Sequence, residues 1–113
     1  MFEKYDEIKA EVEKLLPEAE KRIEDVRTKM HAFSRSDEYF TLEPSIRLRH
    51  DTVYSVLTLF DLVIMQSRAD YKTNIGAPGY RYRQKKNMVY IRDNLRSLLS
   101  DLDKELEKLP YKI

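Results

Sequence analysis

Apolar side chains recur at steps of three and four along most of the chain, and no other feature limits the possible folds as tightly. Phe2, Tyr5, Ile8, Val12, Leu15, Leu16, Ala19, Ile23, Val26, Met30 and Phe33 follow that spacing, as do Met88, Ile91, Leu95, Leu98, Leu102, Leu106 and Leu109. This is the period of a helix with one buried face, not of a strand. With two glycines and four prolines among 113 residues there are few turn-forming sites, which disfavours a β sandwich or barrel and its many short connections. The pattern predicts an all-α, antiparallel up-down bundle of three long helices, or four if the first is split at Pro17.

The breaks in the period set the boundaries. Pro17 lies inside the first pattern; its missing N–H and its ring predict a kink or a boundary at Leu16. Glu18 and Glu20 would suit the first turn of a new helix there. Residues 34–43 lose the period and form a connector, with a turn of helix around Asp37–Phe40. Pro44 fits the first position of a second long helix, expected to run to about Asp70. Its central Val53–Met65 stretch is apolar on most sides, as expected of the most buried helix in a bundle. Tyr71–Tyr80 contains both glycines, and Ala77-Pro78-Gly79-Tyr80 has the form of a type II turn. The last helix is expected over about Arg81–Leu109, stopping before Pro110.

At 113 residues the chain is expected to form one domain, residues 1–113. It is 42% hydrophobic and 36% charged, too apolar for a disordered chain. The longest apolar stretch, Val53–Met65, is interrupted by Ser55, Thr58 and Asp61 and falls short of a membrane span. There is no cysteine, so disulfides, thiolate metal sites and cysteine nucleophiles are excluded. Met1–Lys14 interleaves acids and bases and does not read as a signal peptide. A reducing, cytoplasmic setting with no membrane partner is the expectation.

Charge is distributed unevenly behind a net of only +1. Residues 1–26 hold nine acids and five bases, a net −4. Residues 67–97 hold eight bases and two acids, a net +6. The last helix is therefore reversed against its own dipole, with bases at its start and Asp101, Asp103, Glu105 and Glu107 near its end. Each such exposed charge costs about 0.3–1 kcal/mol. Two compensations are open. In an up-down-up bundle the acidic start of the first helix lies beside the basic start of the last, and the charges pair internally. Alternatively the basic end receives an anion, where a helix N-terminus already favours one.

The candidate anion or nucleic-acid surface is Arg68, Lys72, Tyr80, Arg81, Tyr82, Arg83, Lys85, Lys86, Arg92 and Arg96. On a helix Arg81, Lys85, Arg92 and Arg96 fall within an arc of roughly 60°. Tyr71, Tyr80, Tyr82 and Tyr90 interleave with the bases, a combination suited to stacking bases and pairing phosphates. Catalytic constellations are not found. Arg27–His31 and Arg47–His50 lack the spacing of an Arg/His helical ribonuclease. His50 followed by Asp51 has the order of an oriented general base, but without supporting groups it reads as a solvated or capping residue. Neither histidine has a glutamate three residues before it, so a di-metal carboxylate bundle is not indicated. The Gly76–Gly79 loop lacks the lysine-serine ending of a phosphate loop. No cofactor or metal is expected. Asp61, midway along the apolar helix, calls for an Arg or Tyr partner from a facing helix.

The functional expectation is a small, non-enzymatic protein that binds an anionic partner, nucleic acid or an acidic protein surface, through residues 68–96. The alternative is a structural or adaptor bundle acting through homo-oligomerisation or through helix–helix packing with a protein partner.

Overall fold

A computed structural model describes residues 4–76 and 81–113. Three long helices, α1 (Tyr5–Ser34), α3 (Pro44–Gly76) and α4 (Arg81–Leu106), pack side by side, with a short α2 (Asp37–Thr41) between the first two. Each long helix touches both others, giving the up-down-up bundle that the apolar period predicts, with overall dimensions 57 × 27 × 18 Å. No helix among the described residues is long and apolar enough to cross a membrane.

The core is one continuous seam. Ile8, Val12, Ile23 and Met30 of α1 meet Val53, Leu57 and Ile64 of α3 and Met88, Ile91, Leu95 and Leu102 of α4, all buried. Those of α1 and α4 are positions that the three-and-four spacing singles out; within Val53–Met65 of α3 the sequence pattern selects no one face. Ser36 caps α2 by accepting a hydrogen bond from the Tyr39 backbone N–H at 3.4 Å, a standard N-terminal use of serine. Pro44 occupies the first position of α3, where its missing N–H costs nothing.

On four points the structure decides between sequence expectations or departs from them. First, α1 is continuous through Pro17, which agrees with three long helices and not with a first helix split in two. Pro17 is exposed while Leu16 and Ala19 on either side are buried. Packing on both flanks outweighs the helix penalty of about 3 kcal/mol. Second, α3 runs to Gly76 and not to Asp70. Its last turns are held by docking: Tyr71 packs against the core, and buried Asn74 donates to the Gln84 carbonyl at 2.9 Å. The type II turn at Ala77–Tyr80 lies outside the described residues. Third, α4 ends at Leu106, and Leu109 still packs against the core from the turn that follows. Fourth, α3 is not buried on most sides. Val53, Leu57, Phe60 and Ile64 face the seam, whereas Leu59, Leu62 and Met65 are more than half exposed.

The end of the bundle opposite the α3–α4 connection is closed by the C-terminal tail. The Tyr111 ring lies 4.1 Å from that of Phe33, centroid to centroid. The Tyr111 hydroxyl is 2.9 Å from His50 Nε2. Burial pushes the Tyr111 phenol up to about 12 from its ordinary value of 10.0. The folded protein therefore keeps this proton in a range where the unfolded chain has begun to lose it. Stability from Tyr111 is complete below pH 10 and declines as pH rises toward about 12. In alkaline denaturation followed by circular dichroism, the wild type should lose stability over that interval more steeply than Tyr111→Phe.

Candidate functional site

The register of the bundle decides which bases remain available. α1 and α4 run parallel, and their register sets Glu11 in the first half of α1 beside Arg92 and Arg96 at the middle of α4. Arg96 donates to Glu11 from Nε at 2.8 Å and from its terminal nitrogen as well. Arg92, almost fully buried, has a guanidinium nitrogen 4.0 Å from the same carboxylate and donates from Nε to Asp93 at 3.2 Å. Farther along, Arg22 of α1 reaches Asp103 of α4 at 2.6 Å. Against α3 the order is antiparallel: Glu20 pairs with Arg68, and Arg27 bridges Glu24 and Asp61. Arg92 and Arg96 of the cationic arc predicted on α4 thus lie toward α1, and together with Arg68 they are held by carboxylates inside the molecule.

What remains is smaller and lies at the end where α3 stops and α4 starts. Lys72 is exposed in the last turns of α3, and Tyr82, Arg83 and Lys86 are exposed in the first two turns of α4; Lys85 is half-buried and engaged, and so is not among them. Tyr80 lies outside the described residues, as does the side chain of Arg81. Tyr82 is 79% exposed, and Tyr90, two turns farther on, is 64% exposed. Tyr82, Lys86 and Tyr90 are spaced i, i+4, i+8 and so share one face of α4. That row places two open aromatic faces about 12 Å apart along the helix with an ammonium between them. Tyr90 joins the surface only in the structure; in the sequence it is one of four interleaved tyrosines with nothing to mark it as exposed.

Asp61 has its predicted arginine: Arg27 donates to it across the α1–α3 seam. The hydrogen bond to Asp61 is the main cause of a raised Arg27 pKa. The carboxylate is not buried, with 41% of its side chain exposed, so its loss is far less costly than that of a core ion pair.

His50 differs from expectation. It is fully buried, not solvated. Its Nδ1 lies 3.3 Å from Asp51 and its Nε2 2.9 Å from the Tyr111 hydroxyl, with Phe33 and Tyr39 rings packed around it. Both ring nitrogens are engaged and the ring is closed to solvent, so this histidine ties the tail to α3. His31 is exposed. Among the described residues no group of three or more His, Asp or Glu side chains is arranged to hold a metal.

A shallow groove of about 780 Å³ runs between the outer sides of α3 and α4. Phe60, Leu62 and Val63 line one wall; Tyr90, Asn94, Ser97 and Leu98 line the other. No family model matches the chain, and neither the curated proteins nor the solved structures contain a match to it.

The internal pairing makes two expectations. Glu11→Ala removes the carboxylate that Arg96 and Arg92 share, leaving Arg92 with Asp93, and should cost about 1–2 kcal/mol, between the exposed and buried limits. At roughly 4–8 °C per kcal/mol for a domain near this size, calorimetry should resolve the drop. Asp61→Ala should cost only about 1 kcal/mol, because the pair is half in water.

Proposed function

We propose that this protein is a binding protein whose α4 surface, around Tyr82, Arg83, Lys86 and Tyr90, holds single-stranded nucleic acid. The observation that carries this reading is the exposed Tyr82–Lys86–Tyr90 row. Aromatic faces open to water accept unstacked bases, and an ammonium between them meets the phosphates that join those bases. Arg83 beside the row and Lys72 at the end of α3 add charge at the same end of the bundle. An acidic protein surface would use the cations but leave the two tyrosines without a role, so nucleic acid accounts for more of the geometry.

Fluorescence anisotropy with a labelled single-stranded oligonucleotide tests the reading. Three cations predict a salt slope of roughly −2 for a single strand. Tyr82→Ala and Tyr90→Ala should each weaken binding about fivefold or more, since stacking contributes roughly 1–3 kcal/mol per base. Both tyrosines are exposed, so neither substitution threatens the fold. Absence of binding at low salt would overturn the proposal. Equal binding of a polyglutamate chain, with no effect of either tyrosine substitution, would replace it with an acidic-protein surface.

A second reading, assembly by helix packing, is favoured by a separate observation: the exposed Leu59, Leu62 and Met65 on α3.

A further inference from the structure

In a chain that is 36% charged, the stretch Thr52–Ser67 carries one charge, Asp61, and Arg27 of the same bundle holds it. The outward side of this stretch is Ser55, Thr58, Leu59, Leu62, Met65 and Gln66, all exposed. Leu59, Leu62 and Met65 are 60%, 56% and 64% exposed. A helix of this kind normally turns a charged side to water. An uncharged ridge about 20 Å long is the surface of a helix that packs on a fourth neighbour.

The charges at the two ends of the ridge indicate which neighbour. Asp51 stands at one end, its carboxylate 54% exposed although it accepts hydrogen bonds from Tyr39 and lies against His50. Lys72 stands exposed at the other end. At roughly 100° per residue both fall on the same flank of the ridge, and they are about 31 Å apart with Leu62 close to the midpoint. An acid and a base equidistant from an apolar centre form a pattern complementary to itself under a two-fold axis. We propose that the occupant is a second copy of this chain, its α3 antiparallel to the first and crossing it near Leu62. Asp51 of each copy then faces Lys72 of the other. A parallel copy would set Asp51 against Asp51 and Lys72 against Lys72. Isologous contacts of this form close on themselves as dimers, and rim charges of this kind fix orientation more than affinity.

This inference rests on the assembly reading and is independent of nucleic-acid binding. The ridge is one helix wide, smaller than the standard interface of about 800 Å² per partner. The dimer should therefore be reversible, with a dissociation constant in the micromolar range. Sedimentation equilibrium from about 1 to 500 μM should show a monomer–dimer equilibrium in the wild type. Leu62→Glu should abolish it; Leu62 is exposed, and circular dichroism should confirm an unchanged fold. Asp51→Lys and Lys72→Asp should each weaken dimerisation about tenfold, and the double variant should recover most of the loss. A strictly monomeric wild type would overturn both the second copy and self-assembly. Dimers that survive Leu62→Glu would leave self-assembly standing but remove this face from it. Loss of dimers in Leu62→Glu without recovery in the double variant would keep the face and overturn the antiparallel pairing.

Discussion

The three long helices are positioned by one apolar seam to which each contributes a row of buried side chains. Ile8, Val12, Ile23 and Met30 from α1 meet α3 and α4 side chains that are also buried. Because the seam is continuous, each helix is held along its length, and local defects in helix propensity are tolerated. Pro17 shows this most directly: a residue that would end an isolated helix lies within a 30-residue one. Its neighbours Leu16 and Ala19 are anchored on the core side while the ring projects outward. The same seam explains why α3 outlasts its expected end, since Tyr71 and Asn74 find partners on α1 and α4.

Charge adds direction to a core that has little of its own. Leucine, isoleucine and valine positions spaced at three and four would accept more than one arrangement of three helices. The ion pairs distinguish among them. Glu20–Arg68 and Arg27–Asp61 fit only an antiparallel α1 and α3, and Glu11–Arg96 with Arg22–Asp103 fit only a parallel α1 and α4. Individually such surface pairs contribute little stability. Collectively they penalise the wrong order of helices by placing like charges together. The reversal of α4 against its own dipole is the local cost of this arrangement, and Glu11 and Arg22 compensate part of it from the neighbouring helix.

The fold class, the short α2, the start of α3 and the core positions of α1 and α4 were legible in the sequence because each depends on local spacing or a local cap. What was not legible depends on residues far apart in the chain. His50 is buried because Tyr111, 61 positions later, folds back over it; nothing near His50 announces that. Arg92 and Arg96 look like part of an open cationic edge until the register brings Glu11 beside them. The outer face of α3 was misread for a related reason. An all-round apolar pattern shows how much of a helix avoids water, but not how many neighbours the chain itself provides. Three helices supply two, and the third side of α3 is left over.

That remainder and the tyrosine row on α4 share one origin. A three-helix bundle gives each helix two partners, so about a third of each circumference must face outward, and ordinary sequences fill it with charge. α1 does so throughout, with Lys14, Glu18, Lys21, Asp25 and Lys29 exposed. α3 and α4 depart from this: the middle of α3 places leucine and methionine outward, and α4 sets two tyrosines among its exposed charges. Tyr90 lies at the boundary, on the outward row of α4 and on the wall of the groove that α3 shares. A partner lying on the α3 ridge and leaning into that groove would cover Tyr90 while leaving Tyr82 open. Nucleic acid spanning both tyrosines would need the groove empty. If both proposed surfaces are used, they share Tyr90 and Lys72, and occupation of one would lower the affinity of the other by the same factor in either direction.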